Sequence, residues 1–286
     1  MSMSIFTNAS SMAAVNAMNK SNNMLSTAME RLGTGKRINS AADDAAGLQI
    51  ATRLQGQVSG MAVAQRNISD ATALLQTGEG AFDEMTNIMY RMKDLATQAS
   101  NDTNSSADRT AIQAELNQLG MEMGNIMSNT SYAGDKLFAE GGKFDSELNF
   151  QIGASSGEVM KLDISDQLEG LRGALENLIP EDADTPAVDV SSAASAQALM
   201  DTLESAIDDV SAMRSTFGAN INRLGHSAAN LANMKDNTEL GLGNIRDADF
   251  AAEATNMTRN QMLAQTSMSM LRQSNSMSGM VMSLLG

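Results

Sequence analysis

Apolar residues recur at alternating three- and four-residue steps over long stretches of this chain, the spacing of a helix that packs along one side. Residues 250–286 keep this heptad spacing almost throughout, and residues 1–40 keep it with a single slip. Further stripes run through residues 42–99, 106–129 and 193–234. The pattern predicts a mainly α protein: a long antiparallel helical rod, with a coiled-coil pair of terminal helices and a helical bundle.

The middle of the chain departs from this helical spacing. Near residues 144–164, apolar residues alternate with polar ones on either side of a glycine- and serine-rich turn, which predicts a small β-hairpin. Both prolines, Pro180 and Pro186, then lie among acidic and small residues. We therefore interpret residues 165–192 as a short variable surface tip or linker.

The two ends of the chain share one design. Polar residues interrupt each apolar stripe, and a helix of that kind has little stability until another surface covers it. We expect the two ends to be completed by each other and by neighbouring molecules. The predicted assembly seam consists of Ile5, Met12, Val15, Leu25, Met29, Leu32, Phe250, Met257, Met268, Leu271, Met282 and Leu285.

Composition and charge narrow the function further. The chain of 286 residues has 24 Met, no Trp and no Cys, which excludes disulfides and thiolate chemistry. Its net charge is -15, but residues 1–40 carry +3 and residues 250–286 carry +1, so the middle carries -19. An acidic middle between nearly neutral ends suggests that the ends are buried in an assembly. No basic face with aromatic residues is present to bind nucleic acid, and no stretch is apolar enough to insert into a membrane.

Candidate catalytic residues have simpler interpretations. Asp43 and Asp44 are adjacent, so they do not share a helix face, and they are best explained as caps of the following helix. His226 is the only histidine, which leaves no two-histidine metal motif. We predict a protein that is not an enzyme, with no catalytic, cofactor-binding or metal-binding residues and no cofactor.

Motifs at both ends of the chain carry a resemblance to a known family. The segment from Leu32 to Leu48 has the sequence LGTGKRINSAADDAAGL, and the segment from Ile245 to Ala251 has the sequence IRDADFA, while Leu285 closes a terminal SLL. In this order, they resemble bacterial flagellin over nearly the whole chain. The resemblance is to a short type without large outer domains, a form that includes lateral or swarming flagellins.

The resemblance implies a division into domains. Residues 1–40 and 250–286 would form an inner domain of terminal helices. Residues 41–164 and 193–249 would form a helical rod domain that includes the β-hairpin, and residues 165–192 would be the tip. The implied function is a structural subunit that polymerises into the flagellar filament for motility, after export in an unfolded form and assembly at the filament tip through its terminal helices.

The resemblance also implies a location and partners. The protein would be secreted into the extracellular filament as a homopolymer of many copies. Its other partners would be the flagellar export apparatus, an export chaperone, and hook-associated and cap proteins. Arg91, Leu95 and Glu115 match family positions that an animal innate immune receptor recognises, although ordinary surface and interface roles explain these three residues equally well.

Alternative functions remain open at this point. A hook-filament junction protein resembles flagellin at its ends and is the nearest alternative. A secreted pore-forming protein is a different class, but the stripes carry Asn, Gln and Ser and few cationic residues. An enzyme is the weakest alternative, because the chain has no H-E-x-x-H motif.

Overall fold

The computed structural model describes residues 8–176, 178–179 and 189–285, with the side chains of all of these except 278, 279 and 281–285. Helices dominate this part of the chain, which confirms the prediction of a mainly α fold. The helices are α1 (Ala9–Thr34), α2 (Ala45–Ala99), α3 (Ser106–Asn129), α4 (Ser165–Glu176), α5 (Ala193–Arg246) and α6 (Phe250–Leu285).

Two small antiparallel hairpins follow α3. The larger pairs β3 (Leu148–Gln151) with β4 (Val159–Leu162), where the predicted hairpin lies, and Phe150 is opposite Met160. The smaller pairs β1 (Ser131–Tyr132) with β2 (Asp135–Lys136), and the sequence analysis did not predict it. Its turn has positive φ at two consecutive residues, one of them Gly134 at 94°, as a tight two-residue hairpin turn requires.

Helix α4 lies in the segment that we interpreted as a linker or tip. Leu168, Leu171 and Leu175 recur at three- and four-residue steps, and all three are buried. The spacing of these leucines is the sequence signal for the helix, but it is short and lies beside prolines and acidic residues that are typical of a linker. Pro180 and Pro186 lie outside the described residues, so the tip remains a prediction only beyond this helix.

Side chains and glycine define the ends of the terminal helices. At the start of α1, Asn8 accepts hydrogen bonds from the amides of Ser10 and Ser11, at 3.0 and 3.4 Å. Asp249 does the same for the first turn of α6. Helix α1 is followed by Gly35, whose φ of 69° is left-handed and therefore suits a residue without a Cβ.

The chain divides into two compact units. The terminal unit comprises residues up to 58 and from 236 onwards, and the central unit comprises residues 59–235. Helices α2 and α5 contribute residues to both.

The core of the central unit is formed by aromatic rings and methionines. Phe82, Phe138, Phe144 and Phe217 pack together with ring centroids 4.6 to 5.6 Å apart. A Cβ added at Gly78 would lie 2.7 Å from the Phe217 ring, so this glycine leaves room for that ring beside α2. Several methionines without solvent exposure line the same core: Met85, Met89, Met92, Met123, Met160 and Met213.

We expect Phe217→Ala to destabilise the central unit by about 3–5 kcal/mol, because it removes a fully buried ring and leaves a cavity among the other three. Tyr90→Ala is the matched control, since Tyr90 is an exposed aromatic residue of the same unit and its loss should change stability by less than about 0.5 kcal/mol. Thermal unfolding followed by circular dichroism measures both. Equal shifts in the two variants would contradict the assignment of this core.

Candidate assembly interface

Helices α1 and α6 pack against each other in antiparallel orientation within the terminal unit. Near the start of α1, the Ser11 hydroxyl lies 2.9 Å from the Ser274 hydroxyl, towards the end of α6. Near the end of α1, Arg31 Nη1 donates to Glu253 Oε1 at 3.0 Å, in the first turn of α6. The chain therefore brings its two ends together side by side.

The contact faces of the two helices are formed largely by small and polar residues. On α1, the buried and half-buried positions at heptad spacing are Ser11, Ala14, Met18, Ser21, Leu25, Ala28 and Leu32. On α6, they are Glu253, Met257, Asn260, Ala264, Ser267, Leu271 and Ser274. Small side chains let two helix backbones approach closely, but they remove little apolar surface from water.

Burial along this pair is shallow. Among the described side chains of α1 and α6, only Ser21, Ala28 and Asn260 are nearly inaccessible, at 5%, 2% and 7% exposure. None of the three is a large apolar residue. The contact between α1 and α6 alone therefore lacks the hydrophobic core that holds the central unit together.

The predicted seam residues fall on two kinds of surface. Those that are half-buried are Val15, Leu25, Leu32, Met257 and Leu271. Those that are exposed are Met12, Met29, Phe250 and Met268. Ile5 lies outside the described residues, and so do the side chains of Met282 and Leu285. The role of all twelve in assembly stays a prediction, but the exposed ones are available to a neighbouring molecule and the half-buried ones are partly covered within the chain.

Further large apolar residues are exposed on the same two helices. They are Met24, Met262, Leu263, Met270, Met277 and Met280, with exposures between 40% and 62%. None of them belongs to the predicted seam, because the seam follows one heptad stripe on each helix and these residues lie off that stripe. Apolar side chains exposed in such number along one structural element indicate a surface that another molecule covers.

A short pairing of backbone joins the two segments that flank the terminal helices. We call it the terminal clasp, formed by Lys36, Arg37, Arg246 and Asp247. Lys36 and Asp247 form an antiparallel bridge, and the Arg37 amide donates to the Arg246 carbonyl at 2.6 Å. The clasp ties the end of α1 to the start of α6, so the pairing of the two helices does not depend on their side chains alone.

The segment between α1 and α2 is held by one carboxylate and one close contact. Asp43 Oδ2 accepts from the Asn39 amide at 3.1 Å and from the Ser40 amide at 2.9 Å. Ile38 is buried, and a Cβ added at Gly47 would lie only 2.7 Å from its Cδ1. These contacts give the motif from Leu32 to Leu48 a structural explanation, in which Asp43 fixes backbone amides.

The three residues of the predicted receptor surface belong to the central unit. The Arg91 guanidinium donates twice to Glu115 Oε1, from Nε at 3.1 Å and from Nη2 at 2.6 Å. Both side chains are about half exposed. Leu95 is 3% exposed and belongs to the core, so only the ion pair is offered at the surface. Its role in receptor binding stays a prediction.

The described residues contain neither a metal-binding cluster nor a helix suited to span a membrane. No group of three His, Asp or Glu side chains among them is arranged to hold a metal ion. None of the helices, within the same described part of the chain, is long and apolar enough to cross a membrane.

Two family models match the chain at the helices described above. Residues 5–142 match the bacterial flagellin N-terminal helical region, and residues 200–285 match the bacterial flagellin C-terminal helical region. The two matches together include α1, α2, α3 and α6. The matched regions therefore contain both helices of the candidate interface.

Curated relatives match over all or nearly all of their length. Polar flagellin C of Vibrio parahaemolyticus is 33% identical over 386 aligned residues, which cover 100% of both proteins. A flagellin of Halalkalibacterium halodurans is 38% identical over 259 residues, 90% of each protein. Since the Vibrio alignment is longer than the 286 residues of this chain, that relative carries additional segments.

A solved structure supports the fold alone. The structure of a putative flagellar hook-associated protein from Vibrio parahaemolyticus covers 72% of this chain and 100% of its own, with a TM-score of 0.55 and 16% identity. At this identity, the likeness concerns the helical architecture, and it does not favour the hook-junction alternative.

We expect the carboxyl group of Asp43 to titrate below the ordinary aspartate value of about 3.9. Hydrogen bonds from the Ser40 and Asn39 amides, the Ser40 bond first, lower its pKa because they stabilise the charged form. A pKa lowered by folding adds stability that is complete above the ordinary value and is lost as the pH falls through the lowered one.

The amide chemical shifts of Asn39 and Ser40, followed by nuclear magnetic resonance against pH, measure this titration. The Asp43→Ala variant should remove the inflection from both amides. An inflection at or above the ordinary aspartate value, or one that persists in the variant, would contradict the assigned hydrogen bonds.

Proposed function

The chain belongs to the bacterial flagellin family, and we propose that α1 and α6 are the surfaces through which its copies join into a filament. It is a structural subunit that polymerises into the extracellular bacterial flagellar filament, which serves motility. The observation that carries the proposal is that α1 and α6 bury few large apolar side chains against each other and leave many methionines exposed.

Energetics support the proposal that assembly completes the terminal helices. Ordering a residue costs about 1–2 kcal/mol in backbone entropy. Burial of apolar surface stabilises the folded or assembled state by about 25 cal/mol per Å². Because the α1–α6 contact buries mainly serine, alanine and asparagine, the remaining apolar burial has to come from neighbouring subunits. Folding of the ends and polymerisation would then be one event, and a chain with unfolded ends would suit export through a narrow channel.

The geometry of an open filament follows from the kind of contact. Each subunit presents α1 and α6 side by side, with exposed apolar residues on both helices, so one copy offers different surfaces to different neighbours. Contacts between unlike surfaces that do not close into a ring give an open helical polymer. We propose that residues 1–40 and 250–286 form the inner domain of this polymer, and that residues 41–164 and 193–249 form the domain around it.

The proposal also includes partners other than further copies of the chain. The export apparatus, an export chaperone, and hook-associated and cap proteins would handle the terminal helices before or during assembly. An animal innate immune receptor would meet the Arg91–Glu115 ion pair. We also propose that the subunit has no catalytic activity, in keeping with the structural role of its family.

The exposed methionines provide the test of the assembly surface. We expect the triple variant Met12→Gln, Met268→Gln and Met270→Gln to raise the critical concentration for seeded polymerisation at least about tenfold, since losing about 1.4 kcal/mol per subunit is enough for that change. Glutamine keeps the length and helix propensity of methionine, so α1 and α6 should keep their tendency to form helices. The central unit should stay folded, because none of the three positions belongs to it.

The matched control places glutamine at exposed polar positions of the same helices, as Asn16→Gln with Thr266→Gln. It should assemble like the unmodified chain. Sedimentation of polymer and electron microscopy measure the result, and normal filaments from the triple variant at the usual concentration would overturn the proposal.

A further inference from the structure

Two sets of methionines in this chain differ in access to solvent. Exposed methionines on α1 and α6 are Met12, Met24, Met29, Met262, Met268, Met270, Met277 and Met280. Methionines with no exposure, all in the central unit, are Met85, Met89, Met92, Met123, Met160 and Met213. The chain has 24 Met and neither Cys nor Trp. Methionine sulfur is therefore its most readily oxidised group, and the exposed part of it lies largely on the terminal helices.

The chemistry needs only a two-electron oxidant of the peroxide class. The thioether sulfur donates an electron pair to one peroxide oxygen, an S–O bond forms and the O–O bond breaks. After proton transfer, the second oxygen of hydrogen peroxide leaves as water. The sulfur is oxidised by two electrons, and the peroxide is reduced by two. The product is methionine sulfoxide, which methionine sulfoxide reductases convert back to methionine.

We propose that the exposed methionines of α1 and α6 are a reversible oxidation site that decides whether a free subunit can join a filament. The inference rests on the proposed function, because it assigns a second property to the same assembly surface. Oxidation before assembly blocks addition of the subunit. Once a subunit is in the filament, its neighbours cover these sulfurs and protect them.

The block follows from the polarity of the sulfoxide. Its oxygen is a strong hydrogen-bond acceptor, and burying it against apolar neighbours without a donor costs free energy that the thioether does not cost. Unmodified methionine is flexible and apolar, and so it packs well between subunits.

The central unit should stay folded during this change. Six of its core methionines have no solvent exposure, and peroxide reaches their sulfurs only when the unit opens. The site would therefore act on assembly while the subunit itself keeps its structure.

Peptide mapping by mass spectrometry tests the reactivity of the two sets. The full-length free subunit is treated briefly with dilute hydrogen peroxide, and the sulfoxide content of each methionine is measured. We expect Met12, Met262 and Met270 to be oxidised at least about tenfold faster than Met85 and Met89, because reactivity follows exposure. Similar rates for the two sets would overturn the inference.

Seeded polymerisation of the same samples tests the consequence. Peroxide treatment should slow polymerisation by about fivefold or more, with no loss of central-unit helicity, and reduction by the methionine sulfoxide reductases should restore the rate. An oxidised chain that polymerises at the untreated rate would overturn this inference while leaving the proposed function in place. An untreated chain that does not polymerise would overturn the proposed function, and this inference with it.

Leucine variants identify the methionines responsible. A chain with Met→Leu at positions 12, 24, 29, 262, 268, 270, 277 and 280 should polymerise equally well before and after peroxide, since leucine keeps the apolar volume but cannot be oxidised. The matched control is Met234→Leu, an exposed methionine of the central unit, which should leave the peroxide effect unchanged. If the multiple variant is still blocked by peroxide, another group is responsible and the inference fails.

Discussion

The structure depends on a helix pair that cannot form a core by itself. Helices α1 and α6 meet largely through small and polar residues, and Ser21, Ala28 and Asn260 are their best-buried described side chains. The polar contacts of Arg31 with Glu253 and of Ser11 with Ser274 fix the register of the pair. These polar contacts bury little apolar surface, and many of the large apolar residues of the two helices remain exposed. In such a subunit, polar contacts define how the two terminal helices pair, but the pairing leaves much of their apolar surface exposed.

The central unit has the opposite construction. Its phenylalanine cluster and its fully buried methionines give it a core of its own, and Gly78 makes room for that core beside a long helix. The terminal clasp and the Asp43 hydrogen bonds hold the segments beside the terminal helices. The chain thus combines one unit that has a hydrophobic core of its own with one whose helices need other copies to cover them.

Periodicity in the sequence was enough to predict the long helices and the larger hairpin, because heptad and alternating patterns persist over many residues. It could not choose the contact face of α1. Met12 and Met29 lie on a regular apolar stripe, yet buried positions such as Ser21 lie on another, and a polar residue gives no apolar signal. Helix α4 was missed because its three leucines stand in a short segment beside two prolines. Burial of Leu95 depended on tertiary packing that the local pattern does not encode.

Hydrogen exchange of the α1 and α6 amides, compared between the isolated full-length subunit and the assembled filament, tests the central claim most directly. If the terminal pair is completed only by neighbours, these amides exchange quickly in the isolated subunit and become protected in the filament, while the central unit is protected in both. Terminal amides as protected in the isolated subunit as those of the central unit would contradict the account.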